Sequence, residues 1–277
     1  MDRRLRVGAT LVFVFALLVV GAAAGVSAFF EAQKDRNTTA TYHYSTEVST
    51  NGTLADATLY LPLPVDPDGT PTVESVRISN YEGPEPNWTA RVAETDRGPM
   101  LAIEADEIVG EERYYLVTEN GSLARPGTVS PAEVPENMTG LSLRPALTRY
   151  EILAEVTVEP FGNGIENGLI ETRYPRGNAS LLSATYAYAP GACGPIWDGP
   201  AETCAAFRVD LYADYETAPT TVVRVGPVEL WGVNEWGWFF ANSFNEYTQR
   251  VEQVEFEGSH EGWTSAGGEL HAGRGNY

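Results

Sequence analysis

Two hydrophobic rhythms divide this chain. Residues 7–30 run for twenty-four positions without a charge, longer than the about 20 residues that cross the hydrocarbon core of a bilayer as a helix. From residue 41 onward apolar and polar residues alternate at period two, the pattern of strands with one buried face. Tyr42, Tyr44, Thr46 and Val48 share one side, and His43, Ser45, Glu47 and Ser49 the other. After Asn51-Gly52 the next segment aligns Ala57, Leu59, Leu61 and Leu63, so residues 41–63 are expected to form a hairpin closed by Pro62, Pro64 and Pro67. Short alternating segments at 73–79, 88–93, 100–105 and 113–118 complete a set of six strands, whose spacing suggests a sandwich or barrel.

Residues 119–147 break this rhythm with Pro126, Pro131, Pro135 and Pro145, and are expected to be a linker or long loop. Alternation resumes at Tyr150, Ile152, Ala154, Val156 and Val158, with further strands expected at 169–174, 181–189, 205–215 and 221–230. One segment departs from period two. Phe240, Phe244, Tyr247, Val251 and Val254 are spaced 4, 3, 4, 3, and Ser243 with Glu246 forms a capping box, so a short helix is expected near 243–254. Residues 253–258 and 262–271 are expected to form a last hairpin. The fold class is therefore mainly β, organised as a cytoplasmic N-terminus (1–6), a transmembrane helix (7–30), a β-sandwich-like domain (31–118), the linker (119–147) and a second β-sandwich-like domain (148–277).

Arg3, Arg4 and Arg6 precede the apolar run. A basic cluster there keeps the N-terminus in the cytoplasm and places everything after Phe30 outside the cell membrane. The alternative is a signal peptide cleaved near Val26-Ser27-Ala28, which would leave a secreted chain. Its apolar core of about 7–15 residues is shorter than this run, which favours the anchor.

Charge changes the picture further. The chain carries a formal net charge of −20; without residues 1–6, 15 bases face 37 acids, a net −22. Nucleic acid is excluded as a partner, since no basic stretch follows Arg6 to displace phosphate counterions. Lys34 is the only lysine, and the acids are spread along the whole chain. In this the chain resembles the acidic, lysine-poor proteins of haloarchaea, among them their membrane-anchored cell-surface proteins. The resemblance is compositional and implies a halophilic habitat but no activity. At about 1 M salt the Debye length is about 3 Å, which screens repulsion among surface carboxylates.

Candidate chemistry is sparse. Asn-x-Ser/Thr occurs six times among thirteen asparagines, at Asn37, Asn51, Asn87, Asn120, Asn137 and Asn178, and export makes each an expected glycosylation site of a glycoprotein. Cys193 and Cys204 are the only cysteines, and outside the cell they are expected to form a disulfide bond. The aromatic run Trp231, Trp236, Trp238, Phe239 and Phe240 reads better as core than as a carbohydrate platform. His260 and His271 lack zinc-ligand spacing, Asp66-Pro67-Asp68-Gly69 is only the start of a calcium loop, and no nucleophile, acid–base or dinucleotide motif is present. No catalytic residue, cofactor or metal site is assigned. The sequence implies a binding or structural role at the cell envelope, with an envelope protein or carbohydrate as partner. A surface hydrolase or an accessory subunit of a secretion or transport complex are the alternatives.

Overall fold

The computed structural model describes residues 20–22, 25–26 and most of 40–276, the exceptions in the latter range being 66–68, 74, 81–84, 159–164, 167–168, 171–179, 192–194, 197–198 and 239–240. Of the apolar run, only Val20, Gly21, Ala22, Gly25 and Val26 are described, all helical. Among the described residues no helix is long and apolar enough to cross a membrane.

The strands are β1 (Ala40–Thr50), β2 (Leu54–Pro62), β3 (Arg77–Asn80), β4 (Thr89–Thr95), β5 (Gly98–Ile108), β6 (Arg113–Thr118), β7 (Leu141–Ala146), β8 (Thr148–Val158), β9 (Ile165–Glu166), β10 (Leu169–Ile170), β11 (Thr185–Pro190), β12 (Pro195–Ile196), β13 (Gly199–Glu216), β14 (Val222–Trp238), β15 (Ala241–Val251), β16 (Val254–Glu257) and β17 (His260–Asn276). Thirteen of them form one antiparallel sheet curled into a half-barrel, with main path β3-β8-β1-β14-β15-β17-β13-β2-β5-β4. Its concave side is the core. Leu59, Leu61, Ile103, Ile152, Val209, Val225, Leu230 and Leu270 are among its fully buried side chains, each contributing about 1.5–3 kcal/mol by leaving water.

The mainly β class stands, but the two-domain division does not. β1 lies between β8 and β14, and β2 between β13 and β5, so strands from both sides of residues 119–147 interleave in one sheet. Nor do residues 41–63 form a hairpin. Asn51 and Gly52 both lack the positive φ of a two-residue hairpin turn. Instead Asn51 is held against β14, its N–H donating to Val222 O (3.3 Å) and its Oδ1 accepting from Val222 N (2.8 Å). The chain thus crosses from one arm of the sheet to the other, and Tyr44 OH donating to Pro62 O (3.0 Å) ties β1 to β2 through the core.

Residues 113–146 leave the main sheet altogether. β6 pairs with β7 in a separate two-stranded sheet, with Pro145 opposite Tyr114. A proline is tolerated there because β7 is an edge strand. The expected helix near 243–254 is strand β15, paired with β14 and β17. Tyr247, Gln249 and Val251 all point into the core, and the polar Gln249 in that row is what disguised the alternation. Its Oε1 accepts from Tyr247 OH (2.7 Å) and Leu181 N (3.1 Å), so the buried amide is satisfied by the segment that crosses the concave side. The last expected hairpin also separates, since β16 pairs with β14 while β17 pairs with β13 and β15.

Side chains of β8 join the two arms of the half-barrel at a seam. Trp88, just before β4, packs on Tyr150 of β8 with ring centroids 4.6 Å apart. Tyr150 OH donates to Val109 O (2.7 Å), and Glu111 N to Thr148 Oγ1 (3.2 Å).

Candidate functional site

On the convex face one row of outward residues across the sheet is aromatic. In β2, Tyr60 stands between inward Leu59 and Leu61; in β13, Tyr212 stands between inward Leu211 and Ala213. The register then aligns Arg91, Ala102, Tyr60, Tyr212 and Trp263 in a transverse row across β4, β5, β2, β13 and β17. The three rings converge, with centroids 5.3 Å apart for Tyr60–Tyr212, 5.3 Å for Tyr212–Trp263 and 6.2 Å for Tyr60–Trp263. Trp263 retains 37% exposure. Such contacts favour the cluster by about 0.5–1.5 kcal/mol per pair, yet leave aromatic surface facing water.

A polar rim surrounds the rings. The β4–β5 turn is fixed by Thr95, whose hydroxyl donates to Gly98 O (2.8 Å) and accepts from Arg97 N (3.0 Å). It carries the Arg97 guanidinium to 5.6 Å from the Trp263 ring centroid and 3.3 Å from Asp210 Oδ2. Asp210 also accepts from Tyr186 OH (2.9 Å), and these partners cover it to 8% exposure despite its outward phase. Asp214 lies 3.5 Å from Tyr212 OH, and Glu261 faces Asp214 across the β13–β17 pair. On the β5 side Glu104 is bonded to Arg91 (2.5 Å). The Tyr212 phenol is held above its ordinary range, first by burial and then by the Asp214 and Glu261 carboxylates and Tyr60, so it remains a neutral donor well into alkaline conditions. Flat apolar faces rimmed by a fixed guanidinium and carboxylates suit a ligand that is itself flat, apolar on one side and rich in hydroxyls.

A second concavity, of about 590 Å³, opens at the seam beside Trp88 and Tyr150 and is rimmed by Glu85, Asp106, Glu107 and Glu111. Its Tyr150 phenol is raised by burial and then by Glu107. Among the described residues no group of three or more His, Cys, Asp or Glu is arranged to hold a metal ion.

The residues singled out in the sequence are scattered. Asn87, Asn120 and Asn137 are exposed, whereas Asn51 is 2% exposed and hydrogen-bonded into β14, so in the folded chain it has no surface to offer a glycosyl donor. Asn120 Oδ1 accepts from Ser122 N (3.1 Å) and Asn137 Oδ1 from Thr139 N (3.0 Å), each closing an Asx turn within its own sequon. Asn37, Asn178 and Cys193 lie outside the described residues. Cys204 is on β13 with its Sγ 3.8 Å from His271 Nδ1, and no described cysteine is free. His43 is exposed and stacks on Trp231 at 4.7 Å, and His260 stacks on Phe256 at 4.2 Å. Trp231 is 43% exposed rather than part of the core expected for the aromatic run; the side chains of Trp236 and Trp238 and all of Phe239 and Phe240 lie outside what is described.

Sequence reasoning missed Tyr60, Arg97, Tyr212 and Trp263. The available signal was an aromatic residue in the outward phase of an alternating strand, and only the register joins three of them. Compared with known proteins, this chain matches no family model, no curated protein and no solved structure.

Proposed function

We propose that this chain is a membrane-anchored, extracytoplasmic binding protein whose aromatic row takes a carbohydrate of the cell envelope. The observation that carries this reading is the row Tyr60, Tyr212 and Trp263 on the convex face, rimmed by Arg97, Asp214 and Glu261. The C–H faces of a pyranose pack on ring faces, and carboxylates and a guanidinium take its hydroxyls. The Asp214 and Glu261 carboxylates stand at the rim itself, so at contact range the favoured glycan is neutral or aminated rather than acidic. Anchorage rests on the uncharged run 7–30 behind three arginines. Glycosylation at Asn87, Asn120 and Asn137, a Cys193–Cys204 disulfide and a high-salt setting belong to the same reading. The disulfide is supported by the lack of a free cysteine among the described residues and by there being only two cysteines in the chain.

The test is native affinity electrophoresis of the full chain through gels holding a soluble mannan, galactan or β-glucan. At least one should retard it, and Trp263→Ala should weaken retardation at least about tenfold, as for a central aromatic anchor, with an unchanged far-ultraviolet circular dichroism spectrum. If no polysaccharide retards the chain, or Trp263→Ala runs as the wild type does, the reading is wrong.

A further inference from the structure

We infer that the ligand of the convex face is a polymer: one neutral polysaccharide chain crosses the sheet from the Tyr60, Tyr212 and Trp263 row to a second aromatic platform, Trp231 stacked on His43. The inference rests on the carbohydrate reading above and adds the ligand's length to it. Trp231 is in the outward phase of β14, next to inward Leu230, and His43 is in that of β1, between inward Tyr42 and Tyr44. The two stand opposite one another across the β1–β14 pair, with ring centroids 4.7 Å apart. Among the described residues the most exposed aromatic side chains are Tyr186 (41%), Trp231 (43%) and Trp263 (37%). All three lie on this face, Tyr186 opposite the exposed Arg208 of β13.

The register places the two platforms on one diagonal. Trp231 lies opposite Thr248 of β15, and Thr248 opposite His271 of β17, the strand that also carries Trp263. With about 3.4 Å per residue along β17 and about 4.8 Å per strand across the sheet, Trp231 is about 29 Å from Trp263 over the surface. That is several times the width of a sugar ring. The strip between them is low and polar. Tyr186 reaches across β13 there, its hydroxyl donating to Asp210 Oδ1 (2.9 Å) and meeting Ser265 Oγ of β17 (2.5 Å), so its ring continues the first row towards the second. Gly267 follows on β17 without a side chain to block the path, and the Glu252 carboxylate stands beside it. Further on, Arg250 faces Glu269 across the β15–β17 pair and holds Glu229 at 3.2 Å. The guanidiniums of Arg97 and Arg250 thus already hold the carboxylates of Asp210 and Glu229. A charged group on the ligand would have to displace one member of such a pair, whereas sugar hydroxyls can donate to the carboxylate and accept from the guanidinium without separating them. Aromatic faces spaced along a strip of paired polar groups fit a chain that presents C–H faces and hydroxyls by turns.

The experiment uses the full chain in affinity gels with whichever of mannan, galactan and β-glucan retards it most, and the trisaccharide of the same sugar and linkage as competitor. Trp231→Ala should weaken retardation at least about tenfold, although Trp231 is remote from Trp263, and Trp231→Phe, which keeps a flat ring, should recover most of it. A trisaccharide reaches only one platform. At equal concentration of sugar residues it should therefore compete at least about a hundredfold less well than the free polymer, which gains from joining two sites on one chain. Retardation that falls with Trp263→Ala but not with Trp231→Ala, or a trisaccharide that competes as well as the polymer, overturns this inference and leaves the carbohydrate reading standing. A chain that no polysaccharide retards overturns both. The competition is measured on the wild type, so it decides the question even where a variant fails to fold.

Discussion

Raising the pH beyond about 10 should unfold this chain over a narrow range, and the interior tyrosines set the magnitude. Tyr42, Tyr44, Tyr215 and Tyr247 are each no more than 3% exposed, and burial pushes all four phenols well above their ordinary value. Because the folded pKa lies above the unfolded one, their contribution is complete below about pH 10 and is lost as pH rises. Each tyrosine that ionises only on unfolding removes about 1.4 kcal/mol per pH unit. Four together remove about 5–6 kcal/mol per unit, against a typical domain stability of about 5–15 kcal/mol. Cooperative loss of the sheet is therefore expected within about one to three units above pH 10. Phenolate absorbance and far-ultraviolet circular dichroism should be followed together in about 2 M KCl, where surface repulsion is screened. The buried four should ionise in one step coincident with loss of the strand signal. If all 14 tyrosines titrate near pH 10 while the strand signal persists, the burial argument fails.

Salt should act in the same direction as screening predicts: melting temperature should fall on going from about 2 M to about 0.05 M KCl at neutral pH, and an unchanged value would remove the high-salt reading of the −22 charge. Gln249→Leu should lower stability by about 1–3 kcal/mol, because Tyr247 OH loses its acceptor inside the core while Leu181 N keeps the Tyr247 oxygen; an unaltered urea midpoint would contradict that. Glycopeptide mass spectrometry on protein from its native host should find sugar on at least two of Asn87, Asn120 and Asn137 and none on Asn51, whose side chain is sequestered. Mass spectrometry of unreduced peptides should link Cys193 to Cys204, and two free thiols in the exported chain would exclude the bond.

Much of the strand content was legible because burial on one face writes itself as alternation, as in Tyr42 to Val48 and Tyr150 to Val156. Pairing was not. Asn51-Gly52 has the composition of a tight hairpin turn, and only its contacts with Val222 send the chain elsewhere. Gln249 broke a period-two row because its amide found partners in the core, and a polar residue there makes the neighbouring apolar spacing look helical. Pro145 reads as a strand breaker in any sequence, although on the edge strand β7 its missing N–H costs nothing. The aromatic row was the least accessible: Tyr60, Tyr212 and Trp263 are far apart in the chain, and each alone is an unremarkable surface aromatic. Their meaning depends on register, which alternation does not encode.

The interleaving of early and late strands has a consequence for how the protein comes to exist. β2 pairs on one side with β5 and β1 with β8, but on their other sides Thr50 lies opposite Val223 and Tyr60 opposite Tyr212, partners that follow by about 150–170 residues and place the fold among the slow, high-contact-order topologies. The second edges of β1 and β2 must wait until β14 and β13 have been synthesised, and the path between them through β15 and β17 is complete only when residues 241–276 have followed. Under the proposed anchor topology, a sheet completed only by its last strands would leave the chain threadable while it crosses the membrane. During that interval its dispersed carboxylates keep apolar strands such as 57–63 from adhering to neighbouring chains.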